Sequence, residues 1–108
     1  MATALRGHAR IDARSLAMHR AIAEKLRSQP ELVEVARSNL QRWMASSSRS
    51  QPYFDEWLEI LSRPLEQVLD LIVEETEHMT ALRQIAPFAG VLSPKERWAI
   101  YRDFQEAK

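Results

Sequence analysis

The sequence predicts an all-α fold, a compact single-domain bundle of about five helices, and three observations carry that prediction. Ser followed within two residues by Pro recurs at Ser28, Ser50, Ser62 and Ser93. Between these marks the large apolar residues return at three- and four-residue spacings, the period of one helix face. The chain of 108 residues holds only two glycines, and nowhere sustains the apolar–polar alternation of a half-buried strand. A length near 100 residues suits one domain. Residues 1–10 are expected to be a flexible N-terminus, and residues 11–108 one helical domain.

Each Ser-Pro mark reads as a helix start. A serine hydroxyl can accept a bond from a free first-turn N–H, and proline loses nothing in the first turn, where its missing N–H would have no partner. Glu31 and Glu96 stand three residues after Ser28 and Ser93, the spacing of a capping box. The first helix is predicted from about Asp12 to Arg27, with Leu16, His19, Ile22, Ala23 and Leu26 as its stripe. The second runs from about Pro30 to Ala45 on Leu32, Val35, Ala36, Leu40, Trp43 and Met44, followed by the polar link "SSSRSQ". The third, about Pro52 to Leu61, carries Phe54, Trp57, Leu58 and Leu61. The fourth starts near Pro64 with Leu65, Val68, Leu69, Ile72 and Val73 and runs towards Ile85, with "EETEHMT" as a place where it bends or divides. Pro87 ends it, because the residue before a proline disfavours the helical region. The fifth runs from about Pro94 to Gln105 on Trp98, Tyr101 and Phe104.

Composition narrows the function classes. No cysteine is present, so disulfides, thiol nucleophiles and Cys-type zinc sites are excluded, and a reducing cytoplasm is the expected location. No apolar run approaches the roughly 20 residues of a membrane helix, and the Arg-rich start is followed by no apolar segment of a secretory signal. The serines mostly sit at caps or in the link, with no nucleophile elbow, and Gly7 and Gly90 are too isolated for a phosphate loop. No catalytic set, cofactor site or metal site is therefore expected. Glu75 and His78 have the Glu-x-x-His spacing of di-iron bundles, but those bundles need two copies and two further glutamates. His19, on an apolar stripe, is expected to be a satisfied, partly buried histidine.

The zero net charge hides a split. Residues 1–50 carry nine Lys and Arg against four acids, while residues 51–108 carry six against eleven. Such a dipole can steer partners. The acidic stretch offers Asp55, Glu59, Glu66 and Asp70 to a basic protein surface. Arg6, Arg10 and Arg14, recurring every fourth residue, with Arg20 beyond them, offer the alternative of a DNA-binding face. The stretch "APFAGVLSPKERWAIYRDF" concentrates Phe88, Val91, Leu92, Arg97, Trp98 and Tyr101. Its apolar part belongs either to the core, the favoured reading, or to a partner contact, since Trp, Tyr and Arg are enriched at binding hot spots.

The segments "DARSLAMHRAIAEKL", "RSQPYFDEWLEIL" and "RQIAPFAGVLSPKERWAIYRDF" resemble small bacterial helical proteins encoded beside toxin-like nucleotidyltransferases. The resemblance spans most of residues 11–104. It is sharpest at Arg83 and Gln84, from Pro87 to Pro94, and from Glu96 to Trp98. It implies a non-catalytic antitoxin that binds and neutralises a cognate toxin enzyme and regulates its own operon. A second copy of the chain is the other candidate partner.

Overall fold

A computed structural model describes the backbone of residues 2–46 and 51–104, with side chains described from residue 10 onward. Among these residues stand six helices and one 3-10 turn: α1 (Ala2–Ser28), the 3-10 turn (Pro30–Leu32), α2 (Val33–Ser46), α3 (Gln51–Leu61), α4 (Leu65–Ile72), α5 (Glu77–Arg83) and α6 (Pro94–Asp103). No strand occurs among the described residues. The long α1 is the spine. It packs against α4, α5 and α6, while α2 packs against α3. The core lies between these layers and includes Leu26, Leu40, Trp57, Leu61, Leu69, Ile72 and Leu82, all essentially excluded from water.

The stripes expected of the first four helices supply this core, apart from Leu58, which is exposed, and two boundaries differ. Helix α1 begins at Ala2 rather than near Asp12. Its start is rich in Ala, Leu and Arg, strong helix formers that extend a helix already nucleated on the core. The expected fourth helix is divided into α4 and α5 between Val73 and Thr76. Thr76 caps α5, its hydroxyl accepting from the Met79 N–H at 3.1 Å. Arg83 closes the end of α4 from the other side, its Nη1 donating to the carbonyls of Ile72 at 3.2 Å and Glu74 at 2.7 Å.

Of the Ser-Pro marks, only Ser93 forms the predicted capping box: its hydroxyl accepts from the Glu96 N–H, and the Glu96 carboxylate accepts from the Ser93 N–H. Ser28 and Ser62 instead donate to the carbonyls of Lys25 and Glu59 in the preceding helix. The linkers there are so short that each serine still belongs to the last turn before it. Their prolines nonetheless stand at helix starts, Pro30 opening the 3-10 turn and Pro64 preceding α4. Ser50 lies outside the described residues.

Candidate functional site

The loop of residues 84–93, between α5 and α6, organises the region. Phe88 is its buried anchor, with His19 of α1 and Trp57 of α3 packed edge-on against its ring at centroid distances of 5.6 and 5.4 Å. The Trp57 indole also donates to the Leu82 carbonyl at 3.2 Å. From α2 the buried Asn39 amide donates to the carbonyls of Pro87 and Ala89 at 2.9 and 2.8 Å, and its own oxygen accepts from Arg42. The loop then turns back through a Val91 N–H to Phe88 carbonyl bond of 3.0 Å, with Gly90 at φ +96° in the third position of the turn. Glycine is required there, because other residues rarely adopt that conformation.

With its loop fixed, the chain forms a half-open cavity of about 370 Å³ between α1, the end of α5, the loop and α6. Ile22, Phe88 and Leu92 supply its apolar side. Arg14 from α1, Arg83 from α5 and Arg97 from α6 supply three guanidinium groups, and no carboxylate belongs to the wall. Arg14 also stacks on the Tyr101 ring, 5.0 Å from its centroid. His19, only 5% exposed, uses Nδ1–H to donate to the Ser15 carbonyl at 2.8 Å. Burial holds its pKa at about 4, so the ring is neutral at pH 7. Three nitrogens of wall residues have no hydrogen-bond partner: His19 Nε2, Arg83 Nε and Arg97 Nε. Histidine 19 is thus satisfied at one nitrogen and unpartnered at the other. Burial is also the main cause that lowers the Arg83 pKa from its ordinary value.

Compared with known proteins, the chain matches no family model, no curated protein and no solved structure.

The structure divides the expected contact residues into two groups. Phe88, Val91 and Leu92 are core residues, exposed by 5% or less, and are withdrawn from any contact surface. Trp98 goes the other way: it is 58% exposed, and Tyr101, in edge-on contact with it, is exposed as well. No residue of α6 is buried: of the aromatic stripe favoured as core, Trp98 and Tyr101 are exposed and Phe104 is half-buried. The side of α6 that packs against α1 carries the partly buried Ile100, which leaves Trp98 on the outer side. Arg97, between them, turns into the cavity wall.

The acids are less available than their density suggested. Glu59 pairs with Arg63 at 3.0 Å, Glu66 with Arg27 at 3.6 Å, and Asp55 accepts from Gln51 at 2.7 Å, whereas Asp70 is simply exposed. The arginine stripe is also drawn into the structure. Arg20 pairs with Glu75 at 3.2 Å, Arg14 lines the cavity, Arg10 is half-buried, and the side chain of Arg6 falls outside the described residues. Glu75 and His78 point to different partners, His78 bonding Glu56 at 2.6 Å. Among the described residues, no three His, Asp or Glu side chains gather as a metal site requires.

Sequence reading missed Asn39 and Arg83 as the fixtures of this region. Arg83 carried one signal, a cation in an apolar stretch flanked by Leu82 and Ile85. Asn39 carried only its place beside Leu40 on a helix otherwise read for its apolar stripe.

Proposed function

We propose that this chain is a non-catalytic protein-binding module of antitoxin type, and that it grips its partner enzyme through the outer face of α6. The observation that carries the reading is the 58% exposure of Trp98 in a domain with few large residues to spare. A wet indole forgoes burial worth roughly 1.5–3 kcal/mol, which a partner's surface restores. Lys95 and Arg102 share the surface depression beside Trp98, so the surface that receives it is acidic. The antitoxin assignment itself rests on the resemblance at residues 83–98, where α6 begins. The acids of α3 and α4, mostly paired within the chain, move to the margin of the proposal.

The test is co-purification with the product of the neighbouring reading frame. Trp98→Ala should leave the unfolding midpoint of the isolated chain nearly unchanged while weakening the complex by 2 kcal/mol or more, about thirtyfold. A complex unaffected by Trp98→Ala would remove α6 as the contact. Failure of the neighbouring product to bind or be inhibited would end the antitoxin reading.

A further inference from the structure

We propose that the cavity beneath α6 is a binding site for a small organic oxyanion, a phosphate or carboxylate carried on an apolar body, held by Arg14, Arg83 and Arg97. This goes beyond the protein-binding reading and does not depend on what docks on α6.

Charge comes first. Arg20, Lys25, Arg27, Arg37 and Arg63 each sit on a carboxylate of this chain. Among the described residues, the three arginines of the cavity wall have no such ion-pair partner, although the whole chain carries as many acids as bases. Asp12 accepts from Gln84 at the edge, at 3.4 Å, and with Glu74 and Glu75 it acts on Arg83 through space without a direct ion pair. Arg83 spends its Nη1 on the end of α4, so Arg14, Arg97 and the Nε–H of Arg83 are what the wall offers an anion.

Unpartnered atoms come second. Polar nitrogens buried without partners are rare in folded proteins. Here three occur together on wall residues, and His19 and Arg83 are each only 5% exposed. Their chemistry is directional. Arg83 Nε and Arg97 Nε carry hydrogens and seek an acceptor, as an oxyanion is. Because His19 Nδ1–H is given to Ser15, Nε2 bears the lone pair and seeks a donor, as a ligand hydroxyl or N–H is. The depressed pKa of His19 keeps that lone pair free at neutral pH.

Shape comes third. A volume of about 370 Å³ exceeds what an inorganic ion fills and lies within the range of small-molecule sites. Ile22, Phe88 and Leu92 offer the apolar wall that an organic body would cover.

Isothermal titration calorimetry on the full chain at neutral pH tests this with three probes: AMP, benzoate and inorganic phosphate. At least one organic probe should bind one-to-one with a Kd below about 1 mM, and inorganic phosphate more weakly. AMP without benzoate assigns a phosphate ligand, and benzoate without AMP a carboxylate. Arg14→Gln and Arg97→Gln should each weaken binding about tenfold, the loss of a charge-assisted bond. Lys95→Gln, on the same helix but outside the wall, should bind as the unaltered chain does. Arg83 is left in place because it also holds the turn after α4, and circular dichroism confirms that the variants are folded. Absence of saturable binding by any probe overturns the proposal. So does an equal loss in Lys95→Gln, which would indicate a diffuse charge effect, or inorganic phosphate binding as tightly as the organic probes.

Discussion

His19 shows how one side chain couples burial to pH. Its pKa is held near 4 in the folded chain, mainly by desolvation, against about 6.5 when unfolded. Above that upper value both states are neutral and pH has no hold on the residue. As pH falls from 6.5 towards 4, the unfolded chain takes up a proton that the folded chain resists. Stability present at neutral pH is therefore lost across this window, by up to about 3 kcal/mol. Urea unfolding at a series of pH values checks it: the stability difference between the chain and His19→Gln should shrink on acidification. A difference independent of pH would mean that His19 protonates freely in the fold. Asn39 is the counterpart without a charge, a buried amide whose bonds to Pro87 and Ala89 fix the loop that His19 packs against.

Among the α-helices, α6 is the one with no buried residue, which makes its cap matter. It buries no residue completely, contacts α1, and begins in the reciprocal Ser93–Glu96 box. The Lys25 ammonium donates to the same Glu96 carboxylate at 2.8 Å and, as the leading cause, holds that carboxyl below its ordinary pKa. Ser93→Ala removes the acceptor for the Glu96 N–H and should cost about 1 kcal/mol. Because α6 has little else to anchor it, the loss should appear as faster amide exchange confined to α6, with the exchange of α1 and α3 unchanged. Uniform loss of protection across all helices would show instead that α6 is an integral part of the cooperative core. Helices α4 and α5 illustrate the opposite case. They are short, but Thr76 and Arg83 satisfy the backbone groups freed at the break, so the division leaves few exposed ends.

Across the whole molecule, the charge split of the sequence is used in part within the fold. Arg20, Lys25 and Arg27 of α1 reach Glu75, Glu96 and Glu66, acids from the other half of the chain. The basic half and the acidic half are thus complementary surfaces of one bundle more than a dipole aimed at a partner. Arg27→Glu should lower the urea midpoint by placing like charges together, and adding Glu66→Arg should restore it. A single change without effect would return the split to a steering role. The sequence by itself determined the fold class and the apolar stripes, because helical period and the shortage of glycine leave few alternatives. It also specified one full cap, at Ser93, where the loop before it leaves the hydroxyl free to face the next helix. What only the tertiary structure decided was the use of each polar or aromatic side chain. Ser28 and Ser62 bond backwards because their linkers are short, Phe88 is buried while Trp98 is not, and three arginines from α1, α5 and α6 share one cavity. Periodicity along the chain records which face of a helix is apolar, whereas only packing fixes which neighbours that face meets and how much of it they cover.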